Sequence, residues 1–479
     1  MSGFHIENFG CRAARADGEA IGSHLRTGGL AESAFHAADL VVVNTCSVTA
    51  EADRAARAFI RRVHRQNPAA KIVVTGCYAQ RAPDEVADMP GVAAVVGNSH
   101  KALAPRIAFE LLHPSEFLAA DTRALIQIAE APLLNPVETG RPRTARAASA
   151  PPQVVWADDR FAHSFLEQAP LAFGTQTRPN LKIQEGCSNR CTFCVIPQTR
   201  GPSRSLPYAV VLRQIQDFVA AGGKELVLSG INLGRWGRDS SSGLGPKSLA
   251  GLVRAIFERT ELPRLRLSSI EPMDWDSDLI ALMREFGGGR LARHAHLPLQ
   301  SGSDAVLRRM HRRYRPWHYA EKIEALLQAA GPDLTLGADV MTGFPGETDS
   351  EFEETLDFLR ALPLGYLHLF PFSPRPGTPG WALHAAAPVP SAVIEERMAA
   401  LRILAAEKTR AHRSRFLGRT LRIITLQTAE ALAAKGCTAS LSENFLPVEV
   451  VGLFPANQLV QAQVTGLSPH HSLRAFSLR

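Results

Sequence analysis

From about residue 179 the chain repeats one pattern six times: a short apolar run followed by ten or more residues of helical periodicity. The runs are NLKIQ (180–184), KELVLSG (224–230), RLRLSS (264–269), HAHLPLQ (294–300), LGADVMTGF (336–344) and GYLHLFPF (365–372). Strands that alternate with helices pair in parallel and bury both faces, which is why the runs are nearly continuous in Val, Ile and Leu. Six such units predict a (βα)6 partial TIM barrel over 176–400, with its chemistry at the C-terminal strand ends.

The same rhythm, in a shorter version, occupies 1–112, where FHIENF, ADLVVVN (38–44), KIVVT (71–75) and VAAVV (92–96) predict an open parallel α/β domain. Between the second and third runs, 48–66 reads as a helix with Ala58, Ile60 and Val63 towards the sheet. Residues 113–175 lose the rhythm, and VETGRPRTARAASAPPQ (137–153) reads as a linker or surface connection. A basic helix at about 391–417 leads into 401–479, where TLRIITLQ, LPVEVVGL, LVQAQVTGL and LRAFSL, with the turns KGC and SEN, predict a small antiparallel all-β barrel or sandwich.

Composition agrees with a multidomain α/β protein. The 479 residues suffice for about three domains, and 45% hydrophobic with 21% charged residues excludes both fibre and disorder. Net charge is +7, carried almost wholly by arginine, the better partner for phosphate and for base stacking. The start MSGFHIENFG has no signal-peptide pattern, and no apolar run approaches the roughly 18 residues of a membrane span. A cytoplasmic protein without a membrane partner is expected. Seven cysteines in such a chain point to metal or redox chemistry rather than to disulfides.

Cys187, Cys191 and Cys194 form CSNRCTFC directly after the first run of the central segment. A structural zinc site wants four ligands, and no histidine lies close by to complete one. An iron–sulfur cluster with one open iron fits three thiolates better, the open iron being free to chelate a small molecule. Cys11, Cys46 and Cys77 each follow an N-terminal run (NFGC, VVNTC, VVTGC), and in an open parallel sheet such ends converge on one crevice. That predicts a second three-cysteine cluster. Cys437 is left as an ordinary small apolar residue.

CSNRCTFC resembles the signature of radical S-adenosylmethionine (SAM) enzymes. Together with NTC, GCYAQ (76–80) and the β-rich tail, it is similar to the methylthiotransferase family over almost the whole chain, the 113–175 connection excepted. The resemblance implies two [4Fe–4S] clusters: Cys187, Cys191 and Cys194 would hold the catalytic one that binds and cleaves SAM, and Cys11, Cys46 and Cys77 the auxiliary one. It also implies replacement of a C–H bond by C–S–CH3 with two SAM molecules, both clusters facing one cavity, and a reducing donor such as flavodoxin or ferredoxin. SAM would be addressed by Phe193 against the adenine, by Gly230 and Asn232 in SGIN, by Ser268, Ser269 and Glu271 in LSSIEP, by Gln300 and Ser301 in LQSGSD, and by Asp339 in ADVMTGFPGET.

RRMHRRYRPWH (308–318) interleaves Arg308, Arg309, Arg312, Arg313 and Arg315 with Tyr314 and Trp317, a mixture that neutralises phosphate and stacks on unpaired bases. A second basic run extends from Arg397 to Arg419. The tail resembles the TRAM RNA-binding barrel, and the expected partner is the anticodon stem-loop of tRNA, bound by a monomer. KIQEGC, IPQTRGPSRS, RLSSIEP and FPFSPRPGTP look most like the family branch acting on N6-threonylcarbamoyladenosine at position 37. Isopentenyladenosine of tRNA and an aspartate of a small-subunit ribosomal protein are the alternative substrates, and a non-catalytic metal-stabilised RNA-binding protein the alternative class. CRAARADGEA lacks the Asn and Tyr-Glu-Ser usual in the family after the first cysteine, and Phe445 stands where a tyrosine is common.

Overall fold

The computed structural model describes residues 2–113, 154–161, 177–239, 244–468 and 472–478. The chain divides into two compact units, residues 1–169 with 195–201, and residues 170–194 with 202–479.

In the first unit the apolar runs become β1 (Gly3–Asn8), β3 (Leu40–Thr45), β4 (Lys71–Gly76) and β5 (Val92–Gly97). Two edge strands, β2 (Ala31–Glu32) and β6 (Val154–Trp156), complete a parallel sheet in the order β2-β1-β3-β4-β5-β6. Both faces are covered: Val41, Val43, Ile72 and Val74 pack with Phe59, Ile60 and Val63, while Leu40, Val42 and Val73 pack with Ile21, Leu25 and Ile107. The helix Ala50–Gln66 is capped by Thr49, whose hydroxyl accepts from Ala52 N at 3.2 Å. Its buried stripe is Ala56, Phe59, Ile60 and Val63; Ala58, expected on that stripe, is exposed. A period of 3.6 places position 58 about 160° from position 60. β6 lies inside the stretch expected to be a linker, so residues 154–156 belong to the sheet; the run 137–153 lies outside the described residues.

The second unit carries the six expected parallel strands: β7 (Asn180–Glu185), β9 (Glu225–Gly230), β10 (Arg264–Leu267), β11 (His294–His296), β12 (Thr335–Thr342) and β13 (Tyr366–Pro371). They run in chain order as an arc, the two strand groups being joined where Ala292 N donates to Leu265 O at 2.9 Å. A short β8 (Arg204–Ser205) runs antiparallel to β7. This is the partial barrel the repeats predict.

β14 (Thr420–Thr425), β15 (Cys437–Ser442), β16 (Pro447–Val451), β17 (Leu459–Leu467) and β18 (Leu473–Leu478) close a five-stranded barrel. β15, CTASLS, is absent from the expected runs because small and hydroxyl side chains give little apolar signal. The barrel docks at the N-terminal strand ends of the arc. Arg266 donates to Ser442 O at 3.1 Å, Arg293 N donates to Glu443 at 3.2 Å, and the Phe445 ring lies 4.4 Å from that of His294. At this end Glu225 is buried between Arg264 and Arg266 at 3.1 and 2.9 Å. The boundary expected at 400/401 falls within the helix Ser391–Ser414, where Leu401 is buried.

Candidate cluster and cofactor site

In the first unit each cysteine sits where a parallel strand hands over to a helix or loop. Cys11 is the N-cap of the helix Arg12–Thr27, Cys46 follows β3, and Cys77 opens the helix Cys77–Arg81 after β4. Glycine makes two of these turns possible. Gly10 has φ 107°, and a Cβ there would fall 2.8 Å from the Cys46 sulfur. Gly76 has φ 99°, and a Cβ there would meet the Thr45 carbonyl at 2.3 Å. Cys11 is exposed and the other two buried. The Cys46 thiol is pushed up to about 12, by burial first and then by the neighbouring Cys77 and Cys11. Three neighbouring thiols, Cys46 raised by the other two, are a donor set that a cationic iron cluster would ionise and hold.

Cys77 has buried partners that sequence reasoning missed. Asn98 Nδ2 donates to its sulfur at 3.4 Å and to Thr199 O at 2.9 Å. Arg200 Nε donates to the same sulfur at 3.3 Å, while its Nη1 lies 3.3 Å from Asp17, which Lys101 also contacts at 2.6 Å. The short helix Ile196–Arg200 brings Arg200 there.

In the second unit the loop after β7 holds Cys187, Cys191 and Cys194. Asn189 N lies 3.4 Å from the Cys187 sulfur, and Cys194 N donates to Cys191 O at 3.1 Å. Burial, and then the neighbouring Cys191, raise the Cys187 thiol. Thr192 pins the loop to the returning chain, donating from N to Met310 O at 3.2 Å and from its hydroxyl to Arg309 O at 3.0 Å. Gln184 ties the loop to the end of β9: its amide nitrogen bonds Gly186 O at 2.8 Å, and its carbonyl oxygen accepts from Asn232 N at 2.6 Å.

Of the residues expected to address SAM, Asn232 reaches a thiol with its side chain, its Nδ2 being 3.6 Å from the Cys187 sulfur. Asn232 Oδ1, Ser268 Oγ and the unanticipated Ser229 Oγ are buried with no partner among the described residues. Buried polar atoms without partners are costly, so these three are groups that a polar ligand would satisfy. Gly230 packs on Gln184, where a Cβ would come within 2.9 Å, and the Phe193 Cα lies 3.2 Å from the Cβ position of Gly380. Ser269 is half-buried, and Gln300, at φ 70°, joins β12 through backbone bonds to Asp339 and Met341.

Three of the expected contacts also have partners within the fold. Ser301, fully buried, binds the Thr355 hydroxyl at 3.0 Å and accepts from Ser303 N at 3.2 Å, so it braces a helix start. Asp339 lies 3.0 Å from His296 Nε2 and 3.2 Å from His368 Nδ1. Burial alone would raise its carboxyl, but the two imidazoles outweigh it and hold the group well below the usual carboxylate range. Glu271 accepts from Arg312 at 2.5 Å.

The basic patch also divides. Arg312 and Tyr314 are buried; Arg312 Nη1 donates to the Cys191 sulfur at 3.2 Å and its Nε to the Tyr314 hydroxyl at 3.0 Å. Arg309 forms a two-point pair with Glu351 at 2.8 and 2.7 Å, and Arg315 lies 3.2 Å from Asp304. Arg308 (paired with Asp304), Arg313 and Trp317 are exposed. In the second basic run Arg397 is buried against Glu347 and Asp349 at 2.9 and 2.7 Å, and Arg419 is paired with Asp333. Beside Cys191 opens a pocket lined by Arg190, Arg235, Asp274, His311 and Arg313, with Met273 its one aliphatic side chain.

A parallel arc with three thiols after its first strand is the arrangement of the Radical SAM superfamily, whose pattern matches residues 181–359. Residues 3–97 match the Uncharacterized protein family UPF0004. The threonylcarbamoyladenosine tRNA methylthiotransferase MtaB of Bacillus subtilis is 33% identical over 94% of this chain and 91% of its own length. The protein of the same description from Thermotoga maritima is 30% identical over 94% and 92%. The tRNA-2-methylthio-N(6)-dimethylallyladenosine synthase of Erythrobacter litoralis is 32% identical over 89% and 87%. The chain therefore belongs to the radical SAM methylthiotransferase family, transferases that use SAM and [4Fe–4S] clusters. Among the described residues no helix is long and apolar enough to cross a membrane.

Proposed function

We propose that this protein transfers a methylthio group to N6-threonylcarbamoyladenosine at position 37 of tRNA, giving the 2-methylthio derivative. Cys187, Cys191 and Cys194 would hold the cluster that binds SAM, and Cys11, Cys46 and Cys77 the auxiliary cluster. Bound there, the two clusters and SAM supply the radical that removes a hydrogen and the sulfur and methyl that replace it. The chain's own part is to receive the ligand and exclude water. Ser229, Asn232 and Ser268 offer buried polar atoms to the zwitterion. The bond between Asn232 N and Gln184 fixes the approach of that loop to the cysteines.

The observation that carries the substrate choice is the lining of the pocket beside Cys191. Arg190 and Arg313 offer positive charge that suits the carboxylate of a threonyl group, Arg235 being held by Asp274 at 2.9 Å, whereas an isopentenyl chain would find Met273 as the one aliphatic side chain there. Two relatives whose names specify threonylcarbamoyladenosine support the same reading. A base in the anticodon loop can be splayed out without opening a duplex, and the exposed Arg313 and Trp317 offer a charge and a stacking surface for it. Reconstituted enzyme supplied with anticodon stem-loops carrying either modified adenosine tests the choice. Methylthiolation of the threonylcarbamoyl form alone is expected, and preference for the isopentenyl form would overturn it.

A further inference from the structure

Each cysteine set has one sulfur that receives an N–H from a buried arginine. Arg312 Nη1 lies 3.2 Å from Cys191 Sγ, and Arg200 Nε lies 3.3 Å from Cys77 Sγ. The two arginines come from unrelated parts of the fold, one from the turn after the helix Asp304–Arg309 and the other from the end of the helix Ile196–Arg200. Neither is a surface residue: Arg200 is 0% exposed and Arg312 6%. Burying a guanidinium is costly unless its donors are used, and here they are directed. Arg312 is held by Glu271 at 2.5 Å and by the Tyr314 hydroxyl, which in turn donates to the carbonyls of Pro298 and Leu299. Arg200 is held by Asp17, itself anchored by Lys101. Each carboxylate fixes the arginine, and each arginine presents one N–H to a sulfur.

We infer that Arg312 and Arg200 are positioning residues that set the reduction potentials of the two clusters independently, each by donating to one ligand sulfur. This rests on the assignment of the six cysteines as cluster ligands given above. A hydrogen bond and a positive charge at a thiolate stabilise the electron-richer, reduced cluster, and both effects grow where water is excluded. Removing the arginine therefore lowers the potential of its own cluster. The two networks share no residue and each arginine touches one cysteine set, so each variant is expected to act on its own cluster.

The test uses the full chain, reconstituted anaerobically, as Arg312→Gln, Arg312→Lys, Arg200→Gln and Arg200→Lys. Iron and sulfide per chain are measured first, and each cluster's midpoint is then followed by EPR in a redox titration with and without SAM, which perturbs the SAM-binding cluster. Arg312→Gln is expected to make reduction of that cluster about tenfold less favourable, a fall of about 59 mV for one electron, with the auxiliary midpoint unmoved. Arg200→Gln is expected to give the converse, and each lysine variant to recover part of the loss. Unshifted midpoints in variants that keep full iron content would overturn the inference. So would a lysine variant that loses its cluster as completely as glutamine does, since that marks a purely structural role. Failure of the underlying assignment is distinguishable: Cys191→Ala or Cys77→Ala would then keep the full iron content of both clusters.

Discussion

Arg200 Nε donates to the sulfur of Cys77 across 123 positions of sequence, although the chain reaches Arg200 only six residues after Cys194. The stretch that follows one cysteine motif thus completes the surroundings of a cysteine from the other set. Because this bond is buried, its loss is felt at the sulfur rather than compensated by water.

On the proposed reading the two cysteine sets would divide the labour. Cys191→Ala is expected to abolish SAM cleavage. Cys46→Ala is expected to spare formation of 5′-deoxyadenosine and to stop methylthiolation. Chromatography of 5′-deoxyadenosine alongside mass spectrometry of the nucleoside separates the two, and loss of cleavage in both variants would contradict the division.

Gly76→Ala should damage the auxiliary site through the backbone alone. A Cβ at φ 99° meets the Thr45 carbonyl at 2.3 Å and the Thr45 nitrogen at 2.6 Å, atoms of a central strand that cannot move aside. A cost of about 2–3 kcal/mol in unfolding free energy is expected, with loss of the iron that the proposal assigns to Cys11, Cys46 and Cys77. Iron analysis and chemical denaturation would register it, and a fully loaded, equally stable variant would refute it.

Glu225 makes stability depend on acid. Burial alone would raise its carboxyl, but Arg266, Arg178 and Arg264 outweigh burial and hold it below the ordinary glutamate value. The unfolded chain therefore takes up this proton first, near pH 4.3. The contribution is complete above that pH and is lost as pH falls towards the lower folded value. Glu225→Gln leaves Arg264 and Arg266 buried without their carboxylate and should cost about 3–5 kcal/mol at neutral pH. It should also flatten the acid limb of a urea-midpoint profile; an unchanged limb would count against the assignment.

RNA binding should follow exposure rather than the run of basic letters. Trp317→Ala and Arg313→Ala are expected to weaken tRNA binding, the tryptophan by about tenfold through lost stacking, and Arg313→Ala to reduce the salt dependence as well. Arg309→Ala, whose guanidinium is engaged by Glu351, should change affinity much less. Filter binding at two or more salt concentrations would show the ranking.

The parallel strands were legible because Leu40–Val43 and Leu226–Leu228 are buried on both faces and so read as unbroken apolar runs. The cysteines were legible because each follows such a run, and strand ends converge whatever the intervening loops do. Three kinds of feature were not legible. β15, CTASLS, is mostly Thr, Ala and Ser, whose pairing is set by its neighbours rather than by hydrophobicity. Ser301 and Asp339 have partners that a linear reading does not show, Thr355 for the one and His296 and His368 for the other, which only the packing of distant elements decides. Arg312 sits in RRMHRRYRPWH between the exposed Arg308 and Arg313, and a helix turn followed by His311 at φ 52° carries it inward to Glu271 and Cys191.

The most direct test of the account is mass spectrometry of tRNA nucleosides from a host strain lacking this gene and from the same cells carrying it again. Loss and return of 2-methylthio-N6-threonylcarbamoyladenosine is the predicted result. An unchanged level of that nucleoside, with a methylthio group lost instead from isopentenyladenosine or from a ribosomal protein, would contradict the substrate while leaving the chemistry in place.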